Sequence, residues 1–188
     1  MIARFLRRLF GADSGAPRVH TTQLHGFAVR VEPLAPHLDA AALAARLDRI
    51  LAMANGALPG HLDAARPHIA TLVVRRFPAR GAYMPDTGEL LIELTFLADP
   101  ARKDAEIGAT LVHEMEHARL RGSGLAATMS LAEEERSCRM VEIRLGERVS
   151  DGDVVLARAH AALALDDEGV APTVDWTLAW QRTRERSG

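Results

Sequence analysis

Apolar positions change their spacing several times along the chain, and each change marks an element. Residues 26–32 alternate, with Phe27, Val29 and Val31 on one side, which predicts a strand ended by Pro33 and Pro36. The period then lengthens. Leu43, Leu47, Ile50 and Leu51 share one face of a helix predicted over 40–54, capped by Asp39 and stopped by Asn55-Gly56. Residues 59–67 read as a loop or short helical turn. A second strand is predicted over 69–77, a turn-rich stretch with the only tyrosine, Tyr83, over 78–88, and a third strand over 89–97, broken by Asp99-Pro100. From there the pattern is helical. The helix predicted over 105–121, capped by Asp104, has a core stripe of Ile107, Leu111, Met115 and Ala118. The next, over 131–145, opens on the capping box of Ser130 and Glu133 and has Leu131, Cys138, Val141 and Leu145 as its inner stripe. Further helices are predicted over 153–165 and 174–184, with a loop around 169–172. Helices do not separate the strands regularly. The pattern therefore predicts an α+β fold with a small sheet and four or more helices, not a doubly wound parallel sheet.

Composition narrows the function. A chain of 188 residues predicts one domain, here 18–188, preceded by a linker over 11–17. A net charge of -2 and only 4% aromatic residues give neither the electrostatic footprint nor the stacking platform of a nucleic-acid binder, so no nucleic-acid partner is expected. The single cysteine excludes an intrachain disulfide and a zinc ribbon. No apolar run approaches a membrane span. Residues 1–10 set Ile2, Phe5, Leu6 and Leu9 against Arg4, Arg7 and Arg8. Ten such residues bind membranes weakly, so the segment is expected to dock on its own domain or fray, peripheral membrane contact being the alternative. A cytoplasmic protein is the expectation.

The chemistry sits in the helix over 105–121. His113-Glu114-Met115-Glu116-His117 matches H-E-x-x-H. With eight histidines and thirteen glutamates in the chain, chance supplies roughly 0.02 such matches. Imidazoles at i and i+4 converge on one ion, and the glutamate beside the first can take a proton from water at an open coordination position. Zinc is the expected metal, with His113 and His117 as ligands and Glu114 as general base. A third ligand is required. Leu120 and Ser123 stand where a longer His-based motif needs glycine and histidine, which leaves Glu134, Glu135 and Glu142 of the next helix, with His160 or Asp151 after them. Glu134 falls inside the apolar stripe, Glu135 and Glu142 at its edge. Cys138, mid-helix on that stripe, reads as a small core residue, with a ligand or nucleophile role as the alternative.

The segment 111–120, followed by Glu135-Arg136-Ser137-Cys138-Arg139 and by Glu142, resembles the small bacterial gluzincin-type zinc metallopeptidases. The resemblance covers about 83–148. It implies a zincin-like sheet packed against the motif helix and a following ligand helix. It also implies zinc held by His113, His117 and Glu135, Glu114 as general base, and a peptide or protein substrate. Glu142 is an alternative third ligand or, instead, holds the free nitrogen proton of one histidine. The Glu-x-x-x-Asp pair of that family is absent, since Arg139 stands four residues after Glu135 and Cys138 four after Glu134. The resemblance also suggests that an edge strand beside the metal helix, residues 91–95, takes up an extended peptide, a plain core strand being the alternative. A metal-bound regulatory or binding module without turnover is the alternative function.

Overall fold

Five strands form one mixed sheet in the order β1-β2-β3-β5-β4: His20–Leu24, Phe27–Val31, Thr71–Arg75, Glu89–Glu93 and, at the far edge, Gly81–Met84. This computed structural model describes residues 19–32, 38–172, 178, 179 and 181. The segment 1–17, including the amphipathic decapeptide and its linker, lies outside them, as does most of the helix predicted over 174–184. The chain is α+β, as the pattern predicts.

The three predicted strands are the three parallel ones at the centre. Val29 pairs with Leu72, and Leu72 with Leu90. Parallel neighbours need a crossover, and the first is helical: α1 (Ala40–Ala57), α2 (His61–Ala65) and a single 3-10 turn carry the chain from β2 to β3. The outer strands are antiparallel. β1 and β2 close on a tight turn at His25-Gly26, and β4 and β5 on a turn at 85–88. Leu72, Val74, Leu90 and Ile92 point to the main core beneath the helices, and Val73 and Leu91 to a smaller cluster with Phe77 on the other face.

Several boundaries differ from the pattern. Helix α1 runs through Asn55-Gly56 to Ala57, although Asp39 caps it as predicted by accepting from Ala41 N–H at 2.9 Å. Strand β5 stops at Glu93, and α3 (Leu94–Ala98) follows at once. The cause is Glu93 itself, whose Oε2 accepts from Phe96 N–H at 2.6 Å and Thr95 Oγ1–H at 2.5 Å and so caps a helix inside a mostly apolar run. Residues 91–95 are accordingly no edge. β5 lies between β3 and β4, and β4, drawn from the turn-rich stretch, is the edge strand beside the motif helix.

That helix, α4 (Asp104–Gly122), is capped at Lys103 rather than at Asp104, with Glu106 Oε2 reaching back to Lys103 N–H at 3.1 Å. Asp104 instead receives Arg46 Nε–H at 3.0 Å. Fifteen of its nineteen residues are buried, so it has no wet face in the ordinary sense; α1, α2, α5, α6, β4 and β5 surround it. Helix α5 (Leu131–Gly146) starts on the predicted capping box, with Ser130 and Glu133 exchanging bonds of 3.2 and 2.7 Å. Cys138, Val141 and Leu145 point inward, whereas Leu131 is 68% exposed. It precedes the first full turn and hangs over solvent. Helix α6 (Asp153–Leu163) and the short α7 (Asp167–Val170) complete the described chain. Among the described residues no helix is long and apolar enough to cross a membrane.

Candidate metal centre

The i, i+4 spacing on α4 stacks His113 and His117 edge to face, their ring centroids 5.0 Å apart. Both rings are buried against α5. The two nitrogens of each ring meet different carboxylates, and this division organises the site. His113 Nδ1 lies 2.8 Å from Glu142 Oε1, and His117 Nδ1 lies 2.6 Å from Glu134 Oε1. An ionised carboxylate only accepts, so each Nδ1 carries the proton. Both Nε2 atoms face Glu135: His113 Nε2 is 3.3 Å from Oε2, and His117 Nε2 is 3.2 Å from Oε1.

The three glutamates left open by the sequence are thus sorted by helix geometry. Glu134 and Glu142, eight residues apart on α5, flank the pair of rings from behind, and Glu135 reaches the front. Each rear carboxylate is itself held. Arg121 Nε–H donates to Glu134 at 2.7 Å, and Arg139 and Arg158 donate to the two oxygens of Glu142 at 2.6 and 3.1 Å. His160 and Asp151 are exposed and take no part.

Cys138, fully buried one turn beyond Glu134, comes into the same cluster. Ligand atoms of His113, His117 and Cys138 all lie within 4.8 Å of one another, and this buried group could hold a metal ion. The stripe on α5 is apolar enough for Cys138 to read as core. Only its position between Glu135 and Glu142 on the face that meets the histidines marks it otherwise.

Charge follows from these contacts. Burial opposes a charge on His117, but Cys138, Glu134 and Glu135 outweigh it and push the pKa up to about 12. Burial likewise opposes charge on His113, and Glu135 and Glu142 raise it. Burial would raise the Glu135 carboxyl; bonds from His113 and His117 instead hold it well below the usual range. The Cys138 thiol is raised to about 11, chiefly by burial, against a bond from His117 that lowers it. Without metal, the cluster holds protons where a cation would sit.

Glu114 is buried and turned toward β4, whose Tyr83 N–H donates to its Oε2 at 2.9 Å. The strand comes this close because residue 81 is glycine. A Cβ there would stand 2.7 Å from Thr110 Cγ2 and 3.1 Å from Glu114 Cγ. The Tyr83 hydroxyl is committed to His68 C=O at 3.0 Å. Glu116, the second variable residue of the motif, lies outside the site. It binds Arg119 through both oxygens at 2.8 and 2.7 Å and receives Ser137 Oγ–H at 2.9 Å, tying α4 to α5. His61 packs onto α4, its Nε2 3.2 Å from Val112 C=O.

Compared with protein-family profiles, with curated proteins and with solved structures, the chain has no match. The functional reading therefore stands on the residues of this site.

Proposed function

We propose that the protein is a zinc-dependent hydrolase, most simply a metallopeptidase on a zincin-like scaffold. In this reading His113, His117 and Glu135 hold the metal, and Glu114 is the general base. The observation that carries it is the division of the imidazole nitrogens. Each Nδ1 proton is fixed by a carboxylate and each Nε2 faces Glu135, which is how ligating histidines are oriented in zinc sites. When bound in such a donor set, zinc supplies Lewis acidity that polarises a carbonyl and acidifies water. Glu114 takes the proton of the attacking water and hands it to the leaving amine. The Tyr83 N–H fixes one carboxylate oxygen and leaves the other to carry the proton.

The nearness of Cys138 favours a second reading. With Cys138 as third ligand beside His113 and His117, a buried thiolate and two imidazoles would hold the ion, a soft donor set suited to a structural or regulatory metal. Glu114→Gln separates the two. A hydrolase loses about 100–10,000-fold in turnover of a fluorogenic peptide library while keeping the zinc content of the wild type. A zinc-replete wild type that cleaves nothing in the library establishes the second reading.

A further inference from the structure

A cavity of ≈ 280 Å³ opens beside the metal centre, lined in part by His113, Glu114 and Glu142 and by three arginines, Arg80, Arg139 and Arg158. The arginines come from β4's entry, α5 and α6, so three separate elements converge their cations on one space next to the general base. Among the described residues lining the cavity, Glu142 and Glu114 are the carboxylates opposite them. Glu142 already accepts from His113, Arg139 and Arg158. The Nε–H groups of Arg139 and Arg158 are buried and have no acceptor.

Arg80 is the unbalanced member. Among the described residues it has no carboxylate in contact. Glu106 and Glu142 act on it through space, but Glu106 is engaged by Arg102 at 3.2 Å and Glu142 by the other two arginines. Its guanidinium is held over the Phe96 ring, 5.3 Å from the centroid, and Phe96 also carries Arg102 at 5.9 Å. Arg80 is exposed at the rim of the cavity, and partial burial, then Arg158 and Arg102, push its pKa down. A guanidinium stacked in place with its donors unspent is suited to a bidentate oxyanion.

We propose that this cavity receives a carboxylate of the substrate, bound by Arg80 in the field of Arg139 and Arg158, so that the preferred substrates carry an acidic group beside the scissile amide. The inference rests on the hydrolase reading for the word substrate, and on the cavity alone for the binding. The carboxylate can be a peptide's terminus or an acidic side chain. Both are the same chemistry to a guanidinium.

The test is calorimetric titration of the zinc-loaded Glu114→Gln protein with acetyl-Ala-Ala, its C-terminal amide, and acetyl-Ala-Asp amide. Either acid should bind about 10–100-fold more tightly than the neutral amide. The tighter of the two acids identifies the source. Adding Arg80→Gln should erase the margin with zinc content unchanged, and Arg80→Lys should restore part of it, which a purely structural arginine would not do. Equal binding of acid and amide, binding of neither, or a margin that survives Arg80→Gln overturns the proposal. Failure of the hydrolase reading looks different: the acid preference persists in binding while the wild type shows no turnover.

Discussion

At the scale of single residues, the centre is arranged in two tiers, and their roles can be separated by metal affinity. Glu134 and Glu142 touch only the Nδ1 side of the histidines, fixing which nitrogen carries the proton. Glu142→Ala should weaken zinc binding about 10–100-fold, the usual consequence of losing a carboxylate behind a ligating histidine. Glu135→Ala should cost more, because it removes the group that both Nε2 atoms face. Competition titration against a chromophoric chelator measures both. If Glu135→Ala binds zinc as the wild type does while Cys138→Ala fails to, the third ligand is the thiol. The sequence makes legible that His113 and His117 share one face of their helix, and that the next helix presents the glutamates that meet them. It does not separate the glutamates fully, because a helical wheel ranks burial and not which nitrogen of a ring a carboxylate meets. Cys138 hides for a related reason: a buried thiol and a buried aliphatic group leave the same mark on a stripe.

At the scale of elements, the junction between β5 and α3 turns on Glu93. An apolar run such as 90–97 satisfies a strand or a buried helix equally, and the switch is made by one carboxylate that caps the first turn. Glu93→Ala should cost about 0.5–2 kcal/mol, where each kcal/mol lowers the melting temperature of a chain this size by about 2–4 °C. Glu93→Gln, which keeps an acceptor, should lose less. Thermal unfolding followed by circular dichroism decides it, and equal melting temperatures for wild type and Glu93→Ala would remove Glu93 as the cause of the switch. The central strands were legible because they are buried and rich in β-branched or leucine side chains. The edge strands were not. β1 reads H-T-T-Q-L with every other residue exposed, and β4 is four residues long inside a stretch of prolines and glycines. Edge strands are stabilised by a neighbour on one side only, and their own pattern is correspondingly faint.

At the scale of the whole molecule, protons occupy the buried cluster that could hold a metal ion. The folded pKa of His117 is raised from its ordinary 6.5 to about 12 and that of His113 is raised too. Their contribution to the metal-free fold is therefore complete below pH 6.5 and declines as pH rises toward the folded values. Glu135 is shifted the other way, from 4.5 downward, so its contribution is present above pH 4.5 and lost in acid. Metal needs the Nε2 lone pairs that the protons occupy. Zinc uptake should thus release protons near neutral pH, and apparent affinity should climb as pH is raised above 6.5. Titrating zinc in buffers of different ionisation enthalpy counts the protons. Heats that do not depend on the buffer would show that the histidines are already neutral.

The contact between Tyr83 N–H and Glu114 also bears on how the protein behaves in a crowd. A sheet that ends in a bare strand invites the sheet of another copy to continue it, and a negative charge set against that strand is one of the devices that prevents it. β1 meets the hazard with polar, alternating side chains. β4 meets it with brevity and with a buried carboxylate seated on one of its outward donors. The residue proposed as the proton carrier is thus also one that caps the outermost strand against another strand, so its removal should expose the molecule to self-association.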